Sequence, residues 1–398
     1  MNITEGVITP PKGFKTAGIH CGLKPDNAND FALIVSDRPA TAAGTFTTNR
    51  VFAAPVAINR EHLENGMAQA IVVNSKNANA CTGEQGLRDA RQTAAWAAEK
   101  VGCLPEDVLI NSTGVIGVPL PLDRIRNGLE IGFDKLSEDG WNDAAIAIMT
   151  TDTVPKKATA QLTLRGAAIT LSGIAKGAGM IAPNMATMLA FITTDARLST
   201  AQTQAALQTA VIQSFNCITV DGDMSTNDTV LFLANGAAGN QDFSEAEINT
   251  FQDALNQLCI SLARQIARDG EGATKLITIK VTQAASFDDA RTIGLSVANS
   301  SLVKTAVFGR DPNWGRILCA VGYAGVEIDP QKVTVSMAGI PIYGCRGGLP
   351  FDNNQAIEAL GASSIDIDIN LNNGEASATL YTCDLTYDYV RINAEYTT

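Results

Sequence analysis

The stretch Lys176–Ala190, KGAGMIAPNMATMLA, constrains this chain more than any other. Met188–Thr193 is apolar and β-prone, so it reads as a buried strand inside a mixed fold. Leading into it are small, flexible residues (Gly177, Ala178, Gly179), then Pro183, then Asn184-Met185-Ala186-Thr187. Thr187 therefore places a hydroxyl after a bend and at the mouth of a core strand, an unusual position for a polar side chain.

Before it, apolar runs of strand length alternate with dense polar turns. Phe31–Ser36, Gly44–Thr47 and Val51–Ile58 read as strands, the last demoted towards an edge by Pro55. Gln69–Val73 is a buried strand leading through Asn74, Asn77 and Asn79 to a helix near Leu87–Val101. The three asparagines read as turn residues. Val108–Ile110 is a short strand before Thr113-Gly114, and a helix near Trp141–Met149 ends at Thr150-Thr151-Asp152-Thr153. Thr159–Leu164 and Ala167–Ile174 form a hairpin across Arg165-Gly166 that delivers Lys176.

Beyond residue 187, Ser199 caps a helix reaching about Phe215. Ser244 and Glu247 form a capping box for a helix over Glu245–Arg268, in which each satisfies an orphan backbone group. Ile248, Phe251, Leu255, Leu258, Leu262 and Ile266 give that helix one buried stripe. Glu271 follows in a tight link to the alternating strand Ile277–Val281. Ser286–Asn299 reads as a helix, and strands at Ser364–Leu371 and Ala376–Tyr381 are joined across Asn372–Glu375. Consecutive strands mixed with helices indicate an α+β class.

The net charge of −12 argues against a nucleic-acid groove or an anionic membrane surface as partner. No apolar run is long enough to span a membrane and no signal peptide is legible, so a cytoplasmic location is expected. The 8 cysteines are scattered without a CxxC pair, and with 2 histidines a zinc cluster is not expected. Asp221, Asp223 and Asp228 lack the spacing of a calcium loop, so no metal is assigned.

Scarce histidine also narrows the catalytic options. A threonine hydroxyl needs a base within reach, and an N-terminal amine is one solution, titrating at about 7.7–8.0 in model compounds. Cleavage of the Ala186–Thr187 bond would give Thr187 both groups. Attack of its hydroxyl on the Ala186 carbonyl, followed by hydrolysis of the ester, would achieve that cut. Taken alone, Thr187 reads as a strand-start threonine, Thr113-Gly114 as a turn, Lys176 as a solvated loop charge and Glu271 as a helix-end salt bridge.

Together, KGAGMIAPNMATML, TTDT at 150–153, STGVIG at 112–117 and the terminal INAEYTT closely resemble the ornithine acetyltransferase family of arginine biosynthesis. NANACTG (77–83), DGDMSTNDT (221–229), ARDGEGATK (267–275) and GRDPNWGRI (309–317) extend the resemblance over essentially the whole chain. It implies a glutamate N-acetyltransferase that cleaves itself between Ala186 and Thr187. It also implies an αββα-type sandwich, like N-terminal-nucleophile hydrolases in layering but different in connectivity. Residues 1–186 and 187–398 would stay intertwined, with a smaller C-terminal region from about 283, and assemble as an α2β2 heterotetramer.

The resemblance further implies that Thr187 takes acetyl from N-acetylornithine and passes it to glutamate, with Thr113 and Gly114 as the oxyanion hole. Thr153, Lys176, Thr187, Glu271, Asn393 and Thr398 would contact substrate. Charge pairs Lys176 with the substrate carboxylate and Glu271 with the ornithine ammonium, an assignment that leaves the exchanged pairing open. No cofactor is implied, although some members of the family also use acetyl-CoA as a co-substrate. Lys76 stands where many relatives have glycine. The alternatives are a self-processing amidohydrolase or aminopeptidase using the same threonine, and a binding protein for a basic amino acid.

Overall fold

The computed structural model of the chain describes residues 2–182, 188–345 and 347–395. Its first body is one sheet of strands β1 (Asn2–Glu5), β2 (Phe14–Ile19), β3 (Phe31–Phe46), β4 (Met67–Asn74), β5 (Val108–Ser112), β6 (Lys156–Leu164), β7 (Ala167–Lys176), β8 (Leu189–Thr194) and β9 (Thr229–Ala234). The order is β1-β6-β7-β8-β9-β3-β4-β5, with β2 also paired to β3. Six helices accompany it among the described residues: α1 (Ala54–His62), α2 (Gly83–Val101), α3 (Leu122–Asp134), α4 (Trp141–Ala147), α5 (Thr200–Gln213) and α6 (Glu245–Arg268).

The sheet folds on itself at β3. The first half of that strand pairs with β4 and the second with β9, with a register shift between Val35 and Ala40. The intervening Asp37, Arg38 and Pro39 are exposed, and proline withholds a ladder donor there. The two halves then meet through one apolar cluster, Phe14, Ile34, Ile71 and Leu109 against Ile174, Phe191 and Leu231. On the outer faces, α5 and α6 pack on Leu171, Ile192 and Phe232, while α1–α3 pack on Leu33, Val72 and Ile110. The layering is the expected αββα sandwich. In β8, Leu189 and Phe191 face the inner layer while Ala190 and Ile192 face the helices, so a strand buried on both sides is apolar from Leu189 to Ile192.

A second sheet holds β10 (Leu276–Ala284), β11 (Thr334–Met337), β12 (Ile340–Gly344), β13 (Gly347–Gly348), β14 (Ser364–Asn370) and β15 (Ala376–Cys383), in the order β13-β12-β11-β14-β10-β15. With α7 (Phe287–Ala298), α8 (Ser301–Phe308) and α9 (Trp314–Gly322) it builds a separate core around Ile279, Ile293, Ile317 and Ile367. Two further helices, α10 (Asn353–Ala359) and α11 (Tyr387–Glu395), complete the described chain.

Two sequence expectations are corrected. Residues 51–58 are not a strand: α1 begins at Ala54 with Pro55 in its first turn, where a missing N–H costs nothing. Phe31–Ser36 and Gly44–Phe46 belong to the single long β3, with Thr47 just beyond its end. The strands joined across Asn372–Glu375 form as expected, as β14 and β15, and β10 runs between them, parallel to β14 and antiparallel to β15. Helix α6 spans its expected residues, and the Glu247 carboxylate accepts the Ser244 N–H at 2.7 Å.

Among the described residues no helix is long and apolar enough to cross a membrane. The cysteines there are unpaired: Cys21, Cys217, Cys259 and Cys383 are buried, while Cys81, Cys319 and Cys345 are exposed.

Candidate active site

Strand ends and loops of the sandwich converge on a small cavity of about 80 Å³. Thr113, Gly114, Lys176, Glu271 and Asn393, five of the residues expected at the site, line it together. Thr150, Thr151 and Met180 line it as well, with Ser225, Thr226 and Asn227. A larger, open depression of about 770 Å³ around His20 and Lys135 shares none of these residues.

Thr113 and Gly114 follow β5 and pass directly against the loop after β4. The Thr113 N–H donates to the Asn74 carbonyl (3.0 Å) and the Val115 N–H to the Lys76 carbonyl (3.1 Å). The Gly114 N–H between them makes no hydrogen bond among the described residues. Gly114 has φ +135°, and a Cβ there would fall 2.2 Å from the Lys76 carbonyl carbon, so glycine is required. Asn74, Asn77 and Asn79 hold this crossing, as turn residues would. Asn74 Nδ2 donates to the Asn77 carbonyl (2.8 Å), the Asn79 N–H donates to Asn77 Oδ1 (2.8 Å), and Asn77 Nδ2 donates to the Val118 carbonyl (3.1 Å). The result is a rigid ledge carrying one free backbone donor and one hydroxyl.

Lys176 ends β7 and is 2% exposed. Its Nζ donates to Thr150 Oγ1 at 2.9 Å and lies 3.4 Å from Thr113 Oγ1. Burial pushes its pKa down, against the attraction of Asp152. Asp152, also buried, receives the Lys156 ammonium, the Gly177 N–H (2.6 Å) and the Thr150 N–H (3.0 Å). Burial by itself would raise the Asp152 pKa, but Lys156, Lys176 and the Gly177 N–H outweigh it and hold it at about 2. A permanent carboxylate therefore fixes the turn that presents Lys176.

Glu271 follows α6 across the cavity. Its N–H donates to the Ala178 carbonyl at 2.8 Å, and its Oε2 accepts from Asn393 Nδ2 of α11 at 2.8 Å. A Cβ on Gly179 would lie 2.3 Å from the Glu271 carboxyl carbon, so a side chain there would push the carboxylate away. A buried cation and a partly exposed carboxylate thus share one small cavity, a pattern suited to a zwitterion bearing an extra ammonium.

Thr153 is placed differently. Its hydroxyl and its N–H (2.9 Å) both donate to Asp269, which also receives Lys156, and it does not line the cavity. Ala186, Thr187 and Thr398 lie outside the described residues. Around the first two, Ala182 and Met188 are buried, and the Asp221 carboxylate accepts the N–H groups of Met180 (2.7 Å) and Ile181 (2.8 Å) and the Tyr389 hydroxyl (3.2 Å). Asp221 thereby ties the chain before Thr187 to α11. Sequence reading did not single out Asp152, Lys156 or Asp221 for the site. The polar density of TTDT and DGDMSTND was the available signal. Among the described residues no group of His, Cys, Asp or Glu is arranged to hold a metal.

Comparison with known proteins agrees with the motifs. A family model described as the ArgJ family matches residues 15–398. "Arginine biosynthesis bifunctional protein ArgJ" of Symbiobacterium thermophilum is 50% identical over 402 residues, covering 100% of both chains. A crystal structure of the arginine biosynthesis bifunctional protein argJ from Bacillus halodurans is 42% identical, with TM-score 0.50. It covers 51% of this chain and 97% of its own. The ornithine acetyltransferase of Mycobacterium tuberculosis, solved with ornithine, is 37% identical over 46% of this chain and 97% of its own, with TM-score 0.42.

Proposed function

The chain belongs to the ArgJ family, and on that premise we propose that it transfers acetyl from N-acetylornithine to glutamate through an acetylated Thr187, after cutting itself between Ala186 and Thr187. Within that exchange Thr187 is the nucleophile and its freed amine the base. The free Gly114 N–H and the Thr113 hydroxyl receive the developing oxyanion. Lys176 pairs with the substrate carboxylate and Glu271 with the ornithine ammonium, Asn393 yielding its bond to the carboxylate. The reaction is ping-pong: ornithine departs before glutamate attacks the ester. No cofactor takes part, and acetyl-CoA, in keeping with the relatives' "bifunctional" name, serves as a second acetyl donor to glutamate.

The observation that carries this reading is the joint placement of Thr113-Gly114, Lys176 and Glu271 on one cavity. Self-cleavage draws support from the relatives: curated sequences match from end to end, whereas a solved family chain is 97% covered by only 51% of this one. Incubating the protein with N-acetylornithine and isotope-labelled glutamate tests the proposal. Labelled N-acetylglutamate is the expected product. Release of free acetate alone would point instead to a hydrolase with the same nucleophile.

A further inference from the structure

The short helix α11 stands at the cavity with few means of holding its place. It has 9 residues, none of them buried, and a helix of that length is marginal unless something tethers it. Its first turn rests on the link that follows Glu271. Gly272 has φ +69°, and a Cβ there would lie 2.6 Å from the Tyr389 nitrogen, so no side chain fits between the two. The Thr386 hydroxyl donates to the Gly272 carbonyl at 2.7 Å and accepts the Asp388 N–H at 3.2 Å.

Further along, two side chains tie α11 to other described elements. They are Tyr389 and Asn393, four residues apart and so on one face of the helix. The Tyr389 hydroxyl donates to Asp221 Oδ2 at 3.2 Å. Asp221 is a firm anchor, because its oxygens also accept the N–H groups of Met180 (2.7 Å), Ile181 (2.8 Å) and Asp223 (3.2 Å). Asn393 Nδ2 is shared: it donates to the Tyr389 carbonyl (3.1 Å) and to Glu271 Oε2 (2.8 Å). Glu271 and Asn393 line the cavity, whereas Tyr389 and Asp221 do not. One chain of contacts thus runs Asp221–Tyr389–Asn393–Glu271, anchored outside the cavity and ending within it.

We propose that Tyr389 is a positioning residue for ornithine recognition: by holding α11 to Asp221 it keeps Asn393 against Glu271, and so keeps that carboxylate aimed where the substrate ammonium arrives. The inference rests on the reading of Glu271 as the partner of that ammonium. Ordering the carboxylate beforehand removes part of the side-chain entropy that binding would otherwise cost. Because Tyr389 does not line the cavity, loss of its hydroxyl acts through geometry alone. Glutamate carries a carboxylate where ornithine carries its ammonium, and it makes no use of an ordered Glu271. The two substrates should therefore respond differently to one missing hydroxyl.

The test is steady-state kinetics of acetyl transfer by the full-length protein, with N-acetylornithine and glutamate varied separately. Wild type is compared with Tyr389→Phe, Asn393→Ala and the double variant. Tyr389→Phe should raise KM for N-acetylornithine roughly 5- to 10-fold, while kcat and KM for glutamate stay within about twofold. In the Asn393→Ala background the same change should add almost nothing, since the two side chains act as one chain. Equal rises in both KM values, no rise in either, or effects of the two substitutions that multiply would overturn the proposal. Should Tyr389→Phe fail to fold, Asp221→Asn weakens the other end of the bond and is read by the same split. A rise confined to N-acetylornithine upholds the role, and any other pattern rejects it. A wild type that makes no N-acetylglutamate would remove the reading of Glu271 and the inference together, whereas an active wild type with an unsplit variant rejects Tyr389 alone.

Discussion

Thr113 and Gly114 present a hydroxyl and an unspent N–H from a backbone crossing that admits no side chain at Gly114. Thr113→Ala should therefore lower kcat for acetyl transfer by about 10²- to 10³-fold with little change in ornithine binding, which steady-state kinetics and calorimetry would separate. Glu271→Gln keeps the Asn393 contact and loses the charge. A charge-assisted bond contributes about 1.5–3 kcal/mol, so KM for N-acetylornithine should rise roughly 10- to 100-fold while kcat changes less. At this scale the sequence was informative where a motif was specific, as with Thr113, Gly114, Lys176, Glu271 and Asn393. It did not disclose Asp152, Lys156 or Asp221, because the work of such a charged side chain is recognisable only once its partners, contributed from elsewhere in the chain, are known. Thr153 illustrates the reverse: its hydroxyl type fits a substrate contact, yet Asp269 already engages it.

Among the elements, the start of β6, the end of β7 and the end of α6 are pinned by one buried charge chain, Asp152–Lys156–Asp269. Since the Asp152 pKa is held at about 2 against an ordinary 3.8, its contribution is present above the ordinary value and lost as pH falls through about 2. The shift corresponds to stability on the order of 2 kcal/mol. Urea midpoints should accordingly fall between pH 4 and pH 2. Asp152→Asn should flatten that decline while destabilising the fold by about 3–5 kcal/mol at pH 7, because it leaves Lys156 short of a buried partner. Element positions were legible where periodicity and capping agree, as in α6. They were not at Pro55, which suits an edge strand and a helix first turn equally well, nor in β3, whose exposed Asp37-Arg38-Pro39 interrupts a single strand.

For the whole molecule, the sheet order matters most. β8 and β9, which follow residue 187, lie between β7 and β3, which precede it. A cut at that point severs one peptide bond and leaves both ladders and the shared inner core in place. The two fragments should co-elute on size exclusion and separate only in denaturant. Elution of either fragment alone under native conditions would argue against this packing. The layered class could be read from alternating strands and helices, but this interleaving could not, since long-range strand order leaves no local mark on sequence.

The most direct test of the account is mass spectrometry of purified active protein, taken before and after brief exposure to N-acetylornithine. The account predicts a fragment beginning at Thr187 that gains one acetyl group on that residue and loses it when glutamate is added. An intact, unmodified chain that still forms N-acetylglutamate would contradict it.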